Sequence, residues 1–253
     1  GKYPEALATY NDAIARYSQS FALRMLGREA LLFNDRVDAA EREADQIFNI
    51  LQQSSSRFVS ADSLVAAGRY FSLRGEDARQ VLTLFYDRVR KANPDHLESH
   101  LATAELAIEK GDFKVAAETL TLAEKIDDRD PRVGYLQALA WQSSDSKKMA
   151  EAIQRSLACN SHFVPTLLLV VDNAIDSERF ADAEKAITNV LTINPHDWSA
   201  WAYLAVLAHL RGEFEKEPLM RAAALSTWSK NPGVDHLIGR KLSDNYRFEV
   251  GAA

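Results

Sequence analysis

A chain of 253 residues with 47% hydrophobic and 26% charged residues has the composition of an ordinary packed domain, which excludes disordered or collagen-like character. Its formal net charge of −6 argues against a nucleic-acid partner, whose phosphates reward a basic surface. A single cysteine excludes any internal disulfide, and the longest apolar stretch, Phe163 to Val171, contains Pro165 and is too short to cross a bilayer.

Amphipathic segments of 3.6-residue period alternate with short breaks at Gly, Asn and Pro, so the chain reads as helix pairs, each with a helix A and a helix B. Gly1-Lys2-Tyr3-Pro4-Glu5-Ala6, leading to Tyr10 and Ala13, matches a helix B without its helix A. The first full pair has Leu23, Leu26 and Gly27 on helix A and a long helix B from Asp38 to Gln53, closed at Ser54-Ser55-Ser56. The second is centred on Leu64 and Gly68, turns at Gly75 and ends at Asn93-Pro94. The third carries Leu101 and Ala104, turns at Gly111, and returns through Ala116, Leu120 and Ala123 to Asp130-Pro131. Ala138 and Ala150 mark the fourth, which ends near Cys159, a thiol expected to be small and buried there.

Pro165 to Val171 opens the fifth pair, and Phe180, Ala183 and Ile187 lead to Asn194-Pro195. Trp201, Leu204 and Ala205 form the next helix A, which turns at Gly212; its pair closes at Asn231-Pro232. Val234 to Asp244 makes a last helix A around Gly239, and Tyr246 begins a helix B that stops after one or two turns.

A small residue recurs midway along helix A at Gly27, Gly68, Ala104, Ala138, Ala205 and Gly239, with Val171 in that place once; the steps from Val171 to Ala205 to Gly239 are 34 residues each. Two helices approach to about 8–10 Å only where small side chains cross, and large apolar residues such as Leu23, Leu26, Leu64 and Leu101 fill the adjoining grooves. Gly75, Gly111 and Gly212 supply the positive φ that ends helix A at low cost.

These features resemble the tetratricopeptide repeat family: small residues at both crossing points, an aromatic early in helix B, and a closing Asn-Pro. The resemblance spans essentially the whole chain, is best over Pro165 to Pro195 and Trp198 to Phe214, and is weakest around Ile47 and Gln142. It implies an all-α, right-handed superhelical solenoid of antiparallel helix pairs, about six complete with a partial repeat at each end, in one domain over residues 1–253. Both ends read as cut within a repeat of a longer protein. Apolar faces at such ends forgo roughly 1.5–3 kcal/mol per large side chain, so end-to-end self-association is expected.

In such a solenoid the A helices line a concave face. Exposed places on them are expected at Arg24, Arg28, Arg69, Glu98, Glu105, Tyr135, Asp172 and His209, with Glu109, Gln142, Asp176, His236 and Arg240 beside them. The resemblance implies a scaffold that binds a protein or peptide segment on that face. Arg24, Arg28 and Arg69 are expected to grip a carboxylate or acidic segment bidentately, and the competing reading is a solvated charged face. Some members of the family hold a C-terminal carboxylate with a Lys/Asn clamp, a pattern this sequence lacks.

No catalytic constellation is legible: no nucleophile elbow, phosphate-cradling glycine loop or dinucleotide fingerprint occurs. His96 and His100 stand at i and i+4, but His96 falls where a helix starts, and capping or solvation is the expected role over metal binding. The reading therefore expects no enzyme activity, cofactor, metal, nucleic acid or membrane insertion. Val234-Asp235-His236-Leu237-Ile238-Gly239-Arg240-Lys241-Leu242-Ser243 resembles a segment of large bacterial tetratricopeptide proteins that continue into a gluzincin metallopeptidase domain. The alternative function is thus a non-catalytic, substrate-positioning or regulatory domain beside such an enzyme.

Overall fold

A computed structural model describes residues 1–53 and 60–245; all regular structure among them is helical. The Ser54-Ser55-Ser56 break and the helix expected from Tyr246 lie outside the described residues. The chain divides into two compact units, one of residues 3–32 and 36–161, the other of residues 1–2, 33–35 and 162–253.

The first unit opens with a lone helix, α1 (Tyr3–Arg16), and continues as four antiparallel pairs. These are α2 (Phe21–Leu32) with α3 (Val37–Gln53), and α4 (Ala61–Leu73) with a composite partner. That partner runs through α5 (Ala78–Val81), a π turn (Leu82–Tyr86) and α6 (Asp87–Ala92). Then come α7 (Leu97–Glu109) with α8 (Phe113–Ile126), and α9 (Pro131–Trp141) with α10 (Ser146–Cys159). The second unit holds α11 (Val164–Asp176) with α12 (Phe180–Ile193), α13 (Trp198–Leu210) with α14 (Glu217–Ala224), and then α15 (Pro232–Asp244), the last helix among the described residues. Six pairs with a leading and a trailing helix match the repeat count, and α3 is the 17-residue helix that the wide spacing before Gly68 demands.

Short polar residues start several of these helices. Asp77, Asp112, Asp145 and Asp197 each accept a backbone N–H from the first turn, a cap worth about 1 kcal/mol. His96 does the same for α7: its Nδ1 accepts from the Ser99 N–H while Nε2 meets Asp62 at 3.0 Å. His100 Nε2 donates to the Pro94 carbonyl, so the two histidines serve helix ends and turns.

Five of the six A-to-B turns close alike. The N–H after a positive-φ residue donates to the carbonyl five positions back: Arg36 to Leu31, Glu76 to Phe71, Asp112 to Ala107, Arg179 to Ala174 and Glu213 to Ala208. This is the bond of a Schellman motif. Gly75, Gly111 and Gly212 hold the left-handed place as expected, but Asp35 and Glu178 hold it in the other two turns, at φ 56° and 55°. A side chain with a Cβ is strained there by about 1–2 kcal/mol, partly offset by the chain entropy glycine loses. Glu178→Gly is therefore expected to stabilise the protein by about 0.5–1 kcal/mol in urea melts, and a loss of stability would refute the strain argument.

The small residues from Gly27 to Ala205 sit where the pattern puts them, while the crossing expected at Gly239 falls to residues outside those described. Ala104, Ala138, Val171 and Ala205 are fully buried. At Gly27 and Gly68 the space of a side chain is taken by the rings of Tyr10 and Tyr86. The π turn seats Tyr86 against Gly68, and its burial pushes the phenol up to about 12. Leu26 departs from the pattern. It is 61% exposed, because the approach at Gly27 is filled by the Tyr10 ring and Leu26 is left on the open side of α2. Cys159 is also exposed, at the last position of α10, with Sγ 3.6 Å from the Asp128 carbonyl.

Candidate interaction groove

Within the first unit, α2, α4, α7 and α9 line a groove of about 790 Å³. The helix period explains which side chains reach it. Ala22, Met25, Leu26 and Glu29 on α2, and Asp62, Val65, Ala66 and Arg69 on α4, each follow an i, i+3, i+4, i+7 spacing. One face of each helix therefore points at the same space. Glu98 and Glu105 on α7, and Arg132 on α9, complete the far wall.

That wall is a ladder of alternating charge. Arg69 lies 3.0 Å from Glu105 and 3.2 Å from Glu98. Glu98 shares its other oxygen with Arg132, which is held in turn by Asp130 at 2.6 Å. Burial opposes ionisation of Asp130, yet the hydrogen bonds from Arg132 outweigh it and hold the carboxyl below the usual range. Shared partners fix each guanidinium fork in one orientation. Both arginines are thereby spent on the chain's own acids.

Opposite the ladder stands Glu29, in no hydrogen bond or ion pair with a described residue. Partial burial by the groove walls raises its pKa, against the pull of Arg28 and Arg69, while the residue as a whole stays exposed. Beside it Leu26, Met25, Val65 and Ala66 form an apolar floor. Arg69 and Glu105 also border a second hollow of about 410 Å³ with Leu73, Tyr86 and Glu109.

Three of the eight expected residues, Arg69, Glu98 and Glu105, meet in the groove. Arg24 and Arg28 do not join them. Arg24 is 9% exposed and pairs with Glu43, while Arg28 meets Glu41 at 3.1 Å. Their acids lie on α3, so these two arginines tie a helix pair together and cannot form one grip with Arg69. Tyr135 is half-buried against the core of α7, α8 and α9. In the second unit Asp172 is buried, at 4% exposure, where Tyr203, Arg240 and Lys241 converge on it. His209 Nδ1 meets Glu217 at 2.7 Å, with its ring edge-on to Phe214. Glu29, Leu26 and Arg132 escaped the sequence reading as groove residues, although Arg132 lies 34 residues after Glu98, one repeat on.

Among the described residues no group of three or more His, Cys, Asp or Glu is placed to hold a metal ion, and no helix is long and apolar enough to cross a membrane.

The tetratricopeptide repeat profile matches residues 74–131 and 171–232. No curated protein sequence matches the chain. Among solved structures, a thermophilic TPR protein of Thermus thermophilus superposes with a TM-score of 0.60 at 17% identity, covering 73% of this chain and all of that one. The APC/C hetero-tetramer Cut9–Hcn1 gives 0.59 at 14% identity, over 95% of this chain and 46% of its own. A human IFIT1 dimer with m7Gppp-AAAA gives 0.56 at 16% identity, over 100% and 63%. At such identities the likeness is one of fold.

Proposed function

Since this chain is a tetratricopeptide repeat protein, and such repeats are in general protein-interaction scaffolds, we propose that the groove of α2, α4, α7 and α9 is its recognition surface for a protein or peptide segment. The observation that carries the reading is Leu26, a large apolar side chain left 61% exposed on the floor of a groove whose far wall is held rigid by ion pairs. Open apolar surface with rigid polar edges is what an anchoring side chain needs. Structural neighbours include a protein complex and a dimer holding m7Gppp-AAAA. Carboxylates outnumber guanidiniums along this groove, which favours a protein over a phosphate-bearing partner.

Repeats of this family are typically non-catalytic, and binding without chemistry is the role we assign. The alternative, an auxiliary domain beside a gluzincin peptidase, rests on Val234 to Ser243 alone; metal-dependent peptidase activity in the natural full-length protein is its test.

Selection of displayed twelve-residue peptides on the folded protein tests the groove. Binders are expected to lose about tenfold or more in affinity on Leu26→Ser, the equivalent of one buried leucine, while melting is unchanged because Leu26 supports no core. Binders indifferent to Leu26→Ser would place recognition elsewhere.

A further inference from the structure

Resting on that reading of the groove, we propose that its occupant presents a cationic side chain, Arg or Lys, to Glu29, with an apolar neighbour seated on Leu26 and Met25. The groove is lined by four carboxylates, Glu29, Asp62, Glu98 and Glu105, against two guanidiniums, Arg69 and Arg132. Both guanidiniums are already paired, Arg69 with Glu98 and Glu105 and Arg132 with Glu98 and Asp130.

An acidic side chain entering here must compete with those carboxylates for Arg69 and sit beside Glu29 as a like charge. A cation displaces nothing. It meets an exposed carboxylate that makes no ion pair with a described residue, so the charge-assisted bond forms without breaking an existing pair. The expected polarity of the ligand is therefore reversed by Glu98 and Glu105 of α7, which close on Arg69, and by Glu29 of α2, which stays open to the groove. The apolar half of the motif follows from position: Leu26 and Met25 precede Glu29 by three and four residues, on the same face of α2.

Fluorescein-labelled Gly/Ser dodecapeptides with Leu-Arg-Leu, Leu-Gln-Leu or Leu-Glu-Leu at the centre test this by anisotropy. Each is titrated with the wild type, Glu29→Gln, Leu26→Ser, and Glu118→Gln, which removes the same charge from the exposed side of α8. The Arg peptide is expected to bind about tenfold tighter than the Glu peptide, and Glu29→Gln to abolish most of that preference while Glu118→Gln leaves it intact. A tighter Glu peptide, or a preference that survives Glu29→Gln, overturns the inference. If all three peptides bind alike and weaken together on Leu26→Ser, the groove reading stands and the cation falls. If none binds, or binding ignores Leu26→Ser, both fall.

Discussion

Asp172→Ala is expected to destabilise the second unit by about 3–5 kcal/mol, the cost of breaking a buried ion pair from one side. Asp172 gathers donors from two other helices: Tyr203 Oη on α13 at 2.7 Å, and Lys241 Nζ and Arg240 Nη2 on α15 at 2.9 and 3.1 Å. Lys241 is fully buried and, among the described residues, its ammonium keeps only Asp176, at 2.6 Å, once Asp172 is gone. The Tyr203 phenol, its ionisation suppressed by burial and then by the Asp172 charge, loses its acceptor as well. A buried ammonium and a buried hydroxyl left half-satisfied cost more than the pair contributes when intact.

The matching double variant, Asp172→Leu with Lys241→Met, is expected to recover most of the loss, because packed apolar residues replace an ion pair at little cost. Urea melts read both results. A single variant that loses less than about 1 kcal/mol would show that water reaches the site and that the network is ornamental to the fold.

Whatever repeats with the helix period was legible in the sequence. Gly75, Gly111 and Gly212 announced their turns because glycine alone adopts positive φ without strain, whereas Asp35 and Glu178 make the same turn with residue types that do not advertise it. Arg69, Glu98 and Glu105 share one groove because their places on it follow from register within a helix. Arg24 and Arg28 hold equivalent register and were misread. Their partners, Glu43 and Glu41, belong to α3, and no count along α2 reveals what α3 places opposite. The same blindness hid the acid excess of the groove, which exists only once Arg69 is seen closed between two glutamates. Leu26 reads as core because an apolar residue beside a crossing point normally packs, but the Tyr10 ring packs at Gly27, the next position, and Leu26 stays exposed on the groove side of α2.

Gly134→Val is expected to cost about 3 kcal/mol, the upper range for overpacking, and Gly134→Ala about 1–2 kcal/mol despite alanine's better helix propensity. At Gly134 a Cβ would stand 2.8 Å from the Ser156 nitrogen and 2.9 Å from the Ala152 carbonyl oxygen, both backbone atoms of α10. Side chains can rotate away from such a clash; a helix backbone cannot, so α9 and α10 must part along their length. The parting strains the Ser156 hydroxyl bond to the Pro131 carbonyl, at 2.8 Å, and the bridge from Arg155 to Gln137. It also reaches the groove. Arg132 sits two residues before Gly134 on α9 and holds Glu98, so a displaced α9 loosens the far wall that keeps Arg69 in place. Lowered stability and weakened peptide binding are therefore expected together in Gly134→Val, whereas Leu26→Ser lowers binding alone. A Gly134→Ala protein that melts at or above the wild type would mean that α9 and α10 separate freely, and the groove's rigidity would then need another source.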